Sequence, residues 1–174
     1  PVTFRSASRL AWATALPKLV LRNKGTAAQT EIRLYTEAGD VDSRALELMN
    51  AAAGSLEHPL APRVAQLLVK AATHFGVSEV TLVSAYRSGH AGKHSTSEAV
   101  DFDMPGVRAG ALASYLRTLP KVGVGIYTHP KTRYVHLDVR EESFHWLDAS
   151  PPGRTWREKG ITDRSAHERD AAYT

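Results

Sequence analysis

The chain contains no cysteine, which removes disulfides, thiolate nucleophiles and every cysteine-ligated metal site together. Any metal must be held by His, Asp or Glu. No apolar run approaches the roughly 18–20 residues that cross a bilayer, so no membrane span is expected. Excess charge is small: 22 Lys and Arg against 18 Asp and Glu leave +4, far short of the dense basic stripe of a dedicated nucleic-acid binder. There is no aromatic-basic motif either, and no nucleic-acid partner is expected. Internal repeats and low-complexity stretches are absent. What remains, 174 residues with 43% apolar and 23% charged side chains, suits one globular domain with its own core and leaves no room for a second catalytic domain. The chain opens on Pro1 without a signal-peptide pattern. A leader already removed and a cytosolic protein both fit, so the compartment has to follow from function.

Residues 1–29 are basic, with Arg5, Arg9, Lys18, Arg22 and Lys24 and no sustained period, and read as an arm or early strands. A short alternating strand is expected at Glu31–Tyr35, then Asp42 or Ser43 as N-cap of a helix over Arg44–Asn50. The clearest helix is Pro62–Phe75: Val64, Leu67, Leu68, Ala71, Ala72 and Phe75 recur at helical spacing, between Pro62 in the first turn and Gly76 at the end. Val80–Tyr86 reads as a strand, Ser88–Ser97 as a loop and Ala99–Asp103 as a strand closed by Pro105 and Gly106. A second helix follows around Leu112, Tyr115, Leu116 and Leu119. Val122–Thr128 and Arg133–Arg140 then form a hairpin about His129, Pro130 and Lys131. Residues 157–174 lack a core-forming period, so a partly ordered polar tail is expected.

The chemistry sits on two of these strands. Alternation puts Ala99, Asp101 and Asp103 on one face of the first, and Tyr134, His136, Asp138 and Arg140 on one face of the second, with Val and Leu opposite. If the strands are neighbours, Asp101, Asp103, His136 and Asp138 converge, and the loop carrying His94 leads into them. Two imidazoles and one carboxylate suit zinc and leave a fourth position for water. His58, His74, His129 and His167 read instead as surface or cap residues, and Tyr86 and Trp146 as core or wall.

Over residues 31–148 the sequence resembles a known family. Ser84-Ala85-Tyr86-Arg87-Ser88, His94-Ser95-Thr96-Ser97-Glu98-Ala99-Val100-Asp101-Phe102, Gly123-Val124-Gly125-Ile126-Tyr127, and Tyr134-Val135-His136-Leu137-Asp138 with Trp146 are similar to the zinc D-alanyl-D-alanine peptidases. Their superfamily includes the lysostaphin-type enzymes and the Hedgehog signalling domain. The pattern follows that of the periplasmic murein endopeptidases: Ser-x-Tyr-Arg-Ser, His-x-x-Gly-x-Ala-x-Asp, Gly-Val-Gly-x-Tyr and Val-His-x-Asp. Ser97 stands where that pattern has Gly, and the loop from Arg87 to His94 is shorter. Other branches carry a Glu three residues before the last zinc His, or a His two before it. Here those positions hold Arg133 and Tyr134, so the resemblance identifies no general base.

The resemblance implies an α+β single domain of the Hedgehog and D,D-peptidase type, with a small antiparallel sheet carrying the zinc site and packed against helices. It divides the chain into a basic arm or early strands at 1–30, the peptidase domain at 31–150 and a polar tail at 151–174. It implies Zn2+ on His94, Asp101 and His136, with Arg87 holding a peptide carboxylate or the oxyanion. Asp138, on the strand face of His136, is the first candidate for general base, or else the acceptor that orients a ligand imidazole. Asp103, His90, Glu98, Glu141, Glu142 and His145 stand in reserve. The function implied is hydrolysis of peptide bonds involving D-amino acids in peptidoglycan stem peptides or cross-links, by a monomer in the periplasm or secreted. The alternative is a zinc-containing domain that binds peptidoglycan or a protein without hydrolysis.

Overall fold

The computed structural model describes residues 11–89, 92–154, 156 and 160–173. After a helical turn at residues 11–15 come β1 (Leu19–Asn23), β2 (Gln29–Ile32), α1 (Ser43–Ala53), α2 (Pro62–Phe75), β3 (Glu79–Ser84), β4 (Ala99–Asp103), α3 (Ala109–Leu116), β5 (Val122–Tyr127), β6 (Val135–Val139), β7 (Phe144–Asp148), β8 (Gly160–Ile161) and α4 (Ala166–Ala171). No helix among the described residues is long and apolar enough to cross a membrane.

Local chemistry sets the helix ends. The Asp42 carboxylate accepts from the backbone N–H of Arg44 at 2.7 Å and of Ala45 at 3.2 Å, starting α1. Helix α2 begins with Pro62 and stops at Gly76, whose φ of +64° is left-handed and lets its N–H close back on the last turn. Both helices pack on the sheet through buried Met49, Val64, Leu68 and Ala71, against Leu21, Val80, Leu82, Phe102 and Leu137.

The mixed α and β content of one domain is as expected, but the sheet is neither small nor purely antiparallel. Among the described residues it has eight strands in the order β2-β1-β3-β4-β6-β5-β7-β8, and β1 with β3 and β5 with β7 run parallel. The reason is the connections. Strand β1 is followed by β2 and two helices before the chain returns beside it as β3. Strand β7 leaves the β5–β6 hairpin and pairs on the free side of β5. Alternation reports which face a side chain takes, not which strand lies alongside.

The last elements are tied by polar contacts. The Asp170 carboxylate of α4 accepts from the N–H of Lys121 at 2.5 Å and of Ser143 at 2.6 Å, and Arg169 donates to the Arg117 carbonyl at 2.7 Å. A search for apolar periodicity has nothing to detect there.

Candidate metal centre

Strands β4 and β6 are antiparallel neighbours in register, with Asp101 opposite His136 and Ala99 opposite Asp138. Val100, Phe102, Val135 and Leu137 face the helix layer and are fully buried. The pleat therefore sends Asp101, His136 and Asp138 to the other face of the sheet. There the loop between β3 and β4 folds over them, and its His94 donates from Nδ1 to the Ala85 carbonyl at 2.5 Å. The residue preceding β4 by two positions, Ser97, adopts a left-handed φ of +59°, which explains why glycine suits this place in the pattern. Its hydroxyl donates to the His58 carbonyl at 3.1 Å, holding the strained turn to the α1–α2 loop.

Three atoms meet. His94 Nε2 lies 3.1 Å from His136 Nδ1 and 3.3 Å from Asp101 Oδ1, while His136 Nδ1 lies 2.9 Å from the same oxygen. Donors on a tetrahedral zinc, with bonds of about 2.0–2.1 Å, sit about 3.3 Å apart, so the triangle has the right size. Its protonation fits as well. The Ala85 carbonyl can only accept, so His94 carries its proton on Nδ1 and turns a lone pair inward from Nε2. His136 Nε2 donates to Asp138 Oδ2 at 3.0 Å, leaving Nδ1 as the inward lone pair of the neutral ring. Two imidazole lone pairs and a buried carboxylate oxygen thus face one point, a donor set that a cation satisfies.

Ionisation follows the same logic. Burial works against the Asp101 carboxylate, yet in the metal-free cluster an inward proton on the His136 or His94 ring, taken up in place of the cation, holds it well below the usual range. Burial also disfavours a charged His136, but Asp101 and Asp138 outweigh it and raise its pKa. The pocket attracts positive charge.

Around the triangle, Arg87 pairs with Asp101 Oδ2 and donates from Nε to the Ser84 hydroxyl at 2.7 Å. Its side chain remains partly exposed and lines a pocket of about 340 Å³ with His94, His136, Asp138, Tyr127, Arg140 and Trp146. Asp138 is buried and engaged at both oxygens. Besides the His136 contact, Arg140 donates from Nε to its Oδ1 at 2.6 Å and from a terminal nitrogen to its Oδ2. Burial opposes its ionisation, and the bonds from His136 and Arg140 prevail and lower its pKa. Burial and the charge of Asp101 push the Tyr127 phenol up, keeping it a hydrogen-bond donor.

The reserve residues among those described lie apart from this cluster. Asp103, at the far end of β4, is influenced by Thr81 and Lys24. Glu98 pairs with Lys93 and Thr96, Glu141 with Lys121, and Glu142 is exposed. His145 is buried on the opposite face of β7, 3.6 Å from Asp163. His90 lies outside the described residues. Convergence therefore includes Asp101, His136 and Asp138 but not Asp103.

No metal-ligand spacing in the sequence gives Arg140, Tyr127 or the glycines of β5 a role at this site. Gly123 and Gly125 lie opposite Asp138 and His136, and a Cβ on either would collide, at Gly123 with Asp138 and Arg140, at Gly125 with the Trp146 indole. Glycine at alternate positions of a buried strand is the signal that could have found this: neighbouring side chains cross over it. Gly125→Ala is expected to lift Trp146 off β5 and away from His136, whose ring it meets at 4.9 Å. The cost should be about 1–3 kcal/mol, as for an overpacked core, measured by denaturant unfolding.

A family model described as Peptidase M15 matches residues 41–138. No curated protein and no solved structure matches the chain.

Proposed function

This chain belongs to the peptidase M15 family, and from that premise we propose that it is a zinc peptidase cutting peptide bonds that involve D-amino acids in peptidoglycan stem peptides or cross-links. The observation that carries the reading is the convergence of His94 Nε2, Asp101 Oδ1 and His136 Nδ1 on one point, at a pocket that His94 and His136 line and Asp101 underlies. The net charge of +4 suits an anionic wall polymer. Such a substrate places the enzyme in the periplasm or outside the cell, where it acts as a monomer.

His94, Asp101 and His136 would hold the zinc, which when bound lowers the pKa of a water toward about 7 and polarises the scissile carbonyl. The remaining roles belong to the chain. Asp138 fixes the His136 ring by accepting from Nε2, and Arg140 fixes Asp138. With both oxygens occupied and its pKa lowered, Asp138 is better placed to orient His136 than to take a proton. Arg87, anchored on Ser84 and Asp101, presents the rest of its guanidinium to a substrate carboxylate or a developing oxyanion. Tyr127 adds a neutral donor to the same wall.

One observation favours a second reading, a zinc-holding domain that binds wall peptides or a protein without hydrolysis. Among the described residues lining the pocket the carboxylate is Asp138, and it is engaged. Incubation with purified peptidoglycan, with and without a chelator, followed by mass spectrometry of released fragments, separates the two. Chelator-sensitive release supports the peptidase. Retention on the polymer without release supports the binding domain, and absence of both release and retention overturns both readings. Arg87→Lys is expected to lower kcat/KM about a hundredfold while zinc content stays whole, because an ammonium cannot make two parallel bonds to a carboxylate. Equal kinetics would confine Arg87 to its ion pair with Asp101.

A further inference from the structure

The face of the sheet that carries the metal cluster continues beyond it. Phe144 and Trp146 alternate along β7 and so point to that same face. Their rings lie nearly parallel, 26° between planes with centroids 5.9 Å apart, and Trp146 leads back to His136. Neither residue belongs to the hydrophobic core, and Phe144 is 49% exposed.

Glycines set the attitude of both rings. Trp146 sits opposite Gly125 on one side and Gly160 on the other. A Cβ on Gly125 would fall within the indole, and one on Gly160 would press on the Phe144 ring. The rings therefore rest over backbone on β5 and β8. The Arg140 guanidinium lies 5.7 Å from the Phe144 centroid and 6.0 Å from that of Trp146, and Asp138 balances its charge. The result is an apolar, charge-balanced aromatic surface continuous with the pocket.

Such a surface has a defined complement. An aliphatic side chain is best held in a hollow that surrounds it, and an anionic group needs a free cation. A pyranose ring has an apolar C–H face for the aromatic rings and hydroxyls around its edge that stay in water. We propose that Phe144 and Trp146 form a platform for a sugar ring of an amino-sugar glycan beside the metal pocket. This rests on the peptidase reading only in what it places next to the sugar, a peptide carried on the same polymer. The enzyme would then select peptides still attached to glycan.

The test uses the whole chain and an N-acetylglucosamine tetramer that carries no peptide, followed by calorimetry and by NMR of the Trp146 indole. Binding by the wild type, with the Trp146 signal shifted, is expected. Phe144→Ala should weaken it about tenfold or more, and Phe144→Trp should retain it; thermal melting checks that both variants fold. Absence of binding by the wild type at millimolar tetramer, or equal binding by Phe144→Ala, overturns the proposal. So does self-association that Phe144→Ala abolishes without any tetramer binding, which would assign the platform to a second copy of the chain. Peptide cleavage is not read in these measurements, so failure of the peptidase reading and failure of the platform register separately.

Discussion

Replacing His136 with alanine is expected to weaken zinc binding about a thousandfold and to reduce peptide hydrolysis to background. Structural zinc sites bind with roughly 10–16 kcal/mol shared among their ligands, so loss of one imidazole from three protein donors removes a large part of the affinity. His94→Ala should behave in the same way, because His94 Nε2 and His136 Nδ1 stand at comparable distances from Asp101 Oδ1. Elemental analysis after dialysis measures the metal, and circular dichroism checks the fold. Asp103→Asn is the control: it lies on the same strand face but its surroundings are Thr81 and Lys24, so it should keep a full equivalent. Retention of zinc by both histidine variants would show that the triangle is not where the ion sits.

Asp138→Asn should weaken zinc about 10–100-fold, the usual cost of losing the partner that orients a ligand imidazole. An amide still offers one oxygen, yet it cannot accept from His136 and from both donating nitrogens of Arg140 as a carboxylate does. The informative measurement is activity at saturating zinc. Recovery to within about tenfold of wild type assigns Asp138 to orientation, whereas zinc bound normally with activity still lost a hundredfold or more would make it the general base. The first result is expected, since a carboxylate held below its usual pKa by an imidazole and a guanidinium is a poor proton acceptor.

Much of the site was legible in the chain because its residues obey a local rule. Val100–Asp103 and the stretch around His136 alternate between apolar and ionisable side chains, and a strand with one dry face can be read without its neighbours. Helix α2 was legible for the same reason, its period, its Pro62 and its Gly76 all being local. Elements lacking such a pattern were not visible. Strand β7 exposes Phe144 and Leu147 and buries His145, and α4 is held by Asp170 and Arg169 rather than by an apolar stripe.

Residue types and their alternation set the donor chemistry: without cysteine, a metal falls to His, Asp or Glu, and two strands with one polar face each supply four candidates beside the His94 loop. Tertiary structure alone decided which of them share a point. The register of β4 against β6 put Asp101 rather than Asp103 opposite His136, and a shift of two residues would have exchanged them without altering either pattern. It also decided the roles around the cluster. Whether Asp138 is free or bound depends on Arg140 closing on it over Gly123, and whether Trp146 is core or wall depends on Gly125 lying beneath it in a parallel neighbour. Alternation specifies a face, but pairing partner and register are set by the packing of the whole sheet, and the chemistry of this site lies in those contacts.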